Sequence, residues 1–143
     1  TYCAFLKDWF ERHNIEVIRT GLQSTEELDS GNSLVAGPYE PAMGELVVNE
    51  QYKQRIERCI NEHIESFINK ELSQWNIWGQ ANTFIALNIG VFYPRSLTSK
   101  VRGLKNRNML YFQEKYPHVN INWYEDSTRN TVRCCIDGLQ YVL

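Results

Sequence analysis

The most apolar segment of the chain is Asn82–Val91, NTFIALNIGV, which runs on into Phe92-Tyr93-Pro94. Its apolar positions, from Phe84 to Phe92, leave neither face polar, and Thr, Ile, Val and Phe suit a pleated strand better than a short helix. The segment predicts a strand covered on both sides, at the centre of a sheet. On its N-terminal side the period is helical. Phe5, Leu6, Trp9, Phe10 and His13 form one stripe over Tyr2–His13, with Lys7, Asp8, Glu11 and Arg12 on the other side and Asn14 placed to cap the end. Ile15–Leu22 alternates imperfectly and predicts a strand. Gln23–Ser33 is a polar, acidic loop with a helical turn at Thr25–Leu28. Two prolines and two glycines in Gly37–Gly44 forbid a regular element, and Glu45–Val48 predicts a brief strand.

Asn49 suits a helix N-cap, with Glu50 in the first turn. From there to Trp75, Tyr52, Ile56, Cys59, Ile60, His63, Ile64, Phe67, Ile68 and Leu72 make one stripe with three- and four-residue spacing. The expected helix is about 37 Å long, enough to overhang a small domain or to pair with a second copy. Trp75 and Trp78 then predict an aromatic lid at the sheet edge. After Pro94 a second helix is expected over Thr98–Tyr116, burying Leu97, Val101, Leu104, Asn108, Tyr111 and Phe112, with Gly103 costing it about 1 kcal/mol. Val119–Glu125 and Thr131–Asp137 alternate cleanly on either side of a turn at Asp126–Asn130, which predicts a hairpin. Asp137-Gly138 makes a second turn before Leu139–Leu143. The fold class is therefore α+β: a single domain over 1–143 with a mixed β-sheet, a central buried strand, one long amphipathic helix and a C-terminal β-α-β-β unit. The start at Thr1 rather than Met fits a piece of a longer chain.

A chain of 143 residues buries about 68–70% of its unfolded surface, so neither disulfide nor metal is required for a core. Cys3, Cys59, Cys134 and Cys135 form no C-x-x-C pair, and there is no N-x-S/T sequon. With no apolar run long enough to span a bilayer and no signal-peptide pattern, the expectation is an intracellular protein without a membrane partner. Charge changes the picture more. Residues 1–75 hold seven Lys/Arg against thirteen Asp/Glu, and residues 76–143 hold eight against four, so a −6 half meets a +4 half.

The basic half carries the functional expectation, a non-catalytic module that binds RNA or single-stranded DNA. Arg95, Lys100, Arg102, Lys105, Arg107, Arg129 and Arg133 are the phosphate candidates, and Asn122 and Tyr124, on the polar face of the hairpin with Asn120, are the base-contacting ones. The alternative is a protein-interaction or homo-assembly module (a regulatory, adaptor or viral accessory protein), in which opposite charges and the long helix supply the contacts and a dimer forms. A small hydrolase or nuclease is the third reading, with Asp29, Glu40 and Glu45 as its carboxylates. No phosphate loop, dinucleotide fingerprint, metal-ligand spacing or nucleophile elbow is present. No cofactor, metal ligand or catalytic residue is therefore assigned. His63, inside an apolar stripe, reads as a core histidine and His13 as a helix-end residue.

Overall fold

The structure is a computed structural model that describes residues 2–22, 25–31, 40, 42–74 (backbone alone at 70–74) and 87–143. The elements are α1 Tyr2–Arg12, α2 Glu26–Asp29, α3 Met43–Gln74, β1 Asn88–Tyr93, α4 Thr98–Arg102, α5 Arg107–Lys115, β2 Asn120–Glu125, β3 Arg133–Ile136 and β4 Leu139–Val142, with 3₁₀ turns at Arg95–Leu97 and Leu104–Asn106. The sheet runs β2-β1-β3-β4. β1 pairs parallel with β2 and antiparallel with β3, and β3 pairs antiparallel with β4. This is the α+β architecture with a mixed sheet, a long helix and a β-α-β-β end that the hydrophobic pattern predicts. The first half of the expected central strand, the Trp75–Trp78 lid, Ser33–Ala36 and most of the Gly37–Gly44 connector lie outside the described residues.

β1 is an internal strand, and among the described residues its cover lies on one side. Ile89, Val91 and Tyr93 are buried against α3, α4 and α5, in a core that includes Ile56, Ile60, Val101, Phe112, Cys134 and Ile136. On the other face Asn88 is exposed and Gly90 and Phe92 are half-buried, with no described element lying across them. Among the described residues, Phe92 is sheltered by its cross-strand neighbours Tyr124 and Arg133. That is why an apolar residue at this position suggested two-sided burial.

The expected hairpin is not one. β2 and β3 are separated by β1, and the 126–132 connection passes over the end of β1, where the Asp126 amide donates to the Tyr93 carbonyl at 2.8 Å. The true hairpin is β3–β4, turning at Asp137 and Gly138 with φ of 47° and 84°.

Four further expectations are corrected. Ile15–Leu22 contains no strand. Glu45–Val48 belongs to α3, whose 32 residues run about 48 Å, and Asn49 is a buried interior residue, not an N-cap. The helix expected over Thr98–Tyr116 breaks at Gly103, whose φ of 79° an L-residue rarely adopts, and Lys105 and Asn106 follow at 52° and 60°.

Two asparagines stabilise that break. The buried Asn108 amide donates to the Asn49 carbonyl at 2.8 Å and to the Val101 carbonyl at 3.0 Å. Asn49, its amide oriented by its neighbours, donates to the Lys100 carbonyl and accepts from the Leu104 amide, each at 3.0 Å. The backbone groups freed where α4 ends are thus satisfied inside the protein.

α1 is amphipathic as expected, and Asn14 follows it with φ of 57°. It docks the other way round. Ala4 is buried, and Asp8 and Glu11 meet Arg55 of α3 at 3.0 and 3.3 Å. The apolar stripe therefore faces away from α3. No described helix is long and apolar enough to cross a membrane.

Candidate nucleic-acid interface

Strand alternation puts one set of side chains on the face opposite the helices. The register aligns Asn88, Gly90 and Phe92 of β1 with Asn120, Asn122 and Tyr124 of β2, and Gly90 and Phe92 with Cys135 and Arg133 of β3. Gln140 of β4 lies opposite Cys135. The result is an open surface rich in carboxamides with an aromatic centre.

That centre spans three strands. The rings of Phe92 and Tyr124 stack with centroids 5.0 Å apart at 22°, and the Arg133 guanidinium lies 5.5 Å from the Phe92 centroid. Gly90 makes the arrangement fit. A Cβ there would meet Phe92 Cε2 at 2.8 Å and Tyr124 Cε2 at 3.6 Å, so the Phe92 ring occupies the space a side chain would take. Beside the rings, Asn88, Gly90, Asn122, Cys135 and Asp137 line a shallow trough of about 340 Å³. Tyr124 is 47% exposed and presents an accessible ring.

Arg133 is almost fully buried, and its charge is matched by Asp126. Asp126 is in turn oriented by the Thr128 hydroxyl at 2.5 Å and the Thr128 amide at 3.0 Å. Those two bonds, with Arg133 beside them, hold the Asp126 carboxyl below its ordinary range. Arg133 thus lies against the Phe92 ring on the same face.

The other expected site residues divide between two regions. Asn122 and Tyr124 are on the open face. Arg95 and Arg129 are exposed on the connections that follow β1 and β2, and the Arg95 amide donates to Ser127 Oγ at 3.3 Å. Arg95 Nε is 4.0 Å from Glu125. Lys100, Arg102, Lys105 and Arg107 lie in the helical layer on the far side of the sheet. Arg102 is half-buried there, and its buried Nε, like that of Arg133, has no hydrogen-bond partner among the described residues. Sequence reasoning missed Asn88, Gly90, Phe92 and Gln140. Only the unusual Gly90 inside an otherwise apolar strand signalled a close approach of another group.

The titratable groups elsewhere are held structurally. His63 has 10% side-chain exposure and both ring nitrogens engaged, Nδ1 with Tyr141 Oη at 3.2 Å and Nε2 with Asp137 at 3.4 Å. His13 Nδ1 is 2.8 Å from the Trp9 carbonyl, and its ring stacks on Trp9. Burial raises the Cys134 thiol to about 12, far from a reactive thiolate at neutral pH, and raises Cys59 as well. Among the described residues, no group of three or more His, Cys, Asp or Glu is placed to hold a metal ion. No family model, curated protein or solved structure matches the chain.

Proposed function

We propose that the protein is a non-catalytic domain whose open sheet face binds unpaired bases of single-stranded RNA or DNA. The observation that carries this reading is the Phe92–Tyr124 stack on a face with no described covering element. An exposed ring is a sequence-tolerant platform for a base, and Asn88, Asn120, Asn122 and Gln140 supply donors and acceptors for base edges around it. Arg95 and Arg129 at the end of the sheet would meet the phosphates of a strand running off the rings. A duplex keeps its base faces stacked internally, so it offers nothing to this platform.

Fluorescence anisotropy with labelled oligonucleotides tests the reading. Single strands bind more tightly than a duplex of the same length. Tyr124→Ala weakens binding by about 5- to 150-fold, the equivalent of about 1–3 kcal/mol for one stacked base. Equal affinity for duplex, or single-strand binding indifferent to Tyr124, overturns it.

A further inference from the structure

We infer that the outward face of α1 is a self-association surface that takes a second copy of this chain. On the α1 wheel, Ala4, Asp8 and Glu11 share one side and Tyr2, Phe5, Leu6 and Trp9 the opposite one. The first side is spent on α3: Ala4 is buried, Arg55 bonds Asp8 and Glu11, and Gln51 donates to Glu11 at 3.1 Å. The second is left bare, with Tyr2 89%, Phe5 61%, Leu6 49% and Trp9 44% exposed. Amphipathic surface helices ordinarily bury the apolar side. Here ion pairing holds the helix in the reverse orientation.

Area and charge both point to a second copy. At roughly 200 Å² per ring, the three aromatic residues present on the order of 400 Å². A stable interface takes about 800 Å² from each partner. Leu6 enlarges that face, and Ile15, Ile18 and Leu22 are exposed on the segment that follows the helix. An apolar patch of about 400 Å² is of the size that on a protein surface is often functional.

The rim is electrically closed. Lys7 pairs with Glu11, and Arg12 with Asp8 at 2.6 Å. Glu16 and Arg19 cancel on the segment beyond. Residues 2–22 thus carry three charges of each sign, and two copies meeting across a two-fold axis bring no net charge together. A nucleic acid or an anionic membrane would need cations that this patch does not offer.

Sedimentation velocity on the chain over a range of concentrations, with reductant present because Cys3 is exposed on the same helix, tests the inference. The expected result is a concentration-dependent species at twice the 16.8 kDa chain mass. Phe5→Glu and Trp9→Glu, each at a position outside the core, abolish it while the far-UV circular dichroism stays unchanged. Leu6→Lys serves as a third probe should either fail to fold. A monomer at the highest concentrations overturns the inference, as does a dimer that survives all three variants. So does a monomer that co-sediments with lipid vesicles through the same residues.

Discussion

Replacing Gly90 by Ala tests the aromatic centre without touching either ring. Gly90 does not use the left-handed region, so its backbone accepts a side chain. Removing glycine from a strand is worth about 0.5–1 kcal/mol. The new Cβ, however, would sit 2.8 Å from Phe92 Cε2 and 3.3 Å from Cζ, closer than real Cβ contacts come. The ring has to swing away. It then loses its stack on Tyr124, worth about 0.5–1.5 kcal/mol, and its contact with Arg133, worth about 0.5–1 kcal/mol.

Gain and loss nearly cancel, so Gly90→Ala alone shifts stability by no more than about 2 kcal/mol, on the destabilising side. In a Phe92→Ala background the clash is gone and only the gain remains. There the same substitution stabilises by about 0.5–1 kcal/mol. Urea unfolding of the four proteins, followed by far-UV circular dichroism, gives the coupling between the sites, expected at about 1–2.5 kcal/mol. An identical effect of Gly90→Ala in both backgrounds would refute the packing of Phe92 over Gly90, and with it the flat platform on which the proposed function rests.

Asn108→Ala removes the donor that satisfies the Val101 carbonyl at the end of α4. It should cost about 1–3 kcal/mol in urea unfolding, whereas an unchanged midpoint would mean that the α4–α5 break is not held by this side chain. Asp126 has a depressed folded-state pKa, so its ionised form adds stability above the unfolded value of about 3.9, and that contribution disappears as pH falls through the lower folded value. Asp126→Asn should therefore lower the melting temperature at neutral pH by more than it does at pH 3. A difference independent of pH would show that the Thr128 and Arg133 contacts do not favour the carboxylate.

Much of the sheet is legible in the sequence because, among the described residues, its cover lies on one side. Val132, Cys134 and Ile136 alternate with polar neighbours and point inward as the pattern implies. The pattern does not reveal which strand fills the slot between β2 and β3, since a turn at Asp126–Asn130 reads the same whether it closes a hairpin or crosses the end of a third strand. Helix faces are legible, but not what they dock against. The stripe of α1 identifies its apolar side, while its orientation is set by Arg55, 44 and 47 residues from its two partners. Asn49 misled for a related reason. An asparagine before a helical pattern is a good cap, and nothing local marks it as the acceptor and donor for a break more than fifty residues away.

The charge asymmetry of the two halves takes a different meaning once the side chains are placed. Part of it is spent inside the fold: Lys115 of α5 pairs with Glu57 of α3, and Arg133 with Asp126. Of the exposed cations, Arg95 and Arg129 stand by the rings, while Lys100, Lys105 and Arg107 belong to the opposite layer. One strand lying along the sheet cannot reach both groups. Salt dependence separates the two routes. For single strands, each phosphate neutralised adds about 0.7 to the slope of log affinity against log salt. Binding across the sheet, with two cations, predicts a slope of about −1.4; a path that also enlisted the three helical-layer cations would give about −3.5. Charge reversal at Lys100 and Lys105 should leave the shallow slope unchanged, and reversal at Arg95 and Arg129 should bring it close to zero. A steep slope that depends on the helical layer would move the interface off the rings altogether.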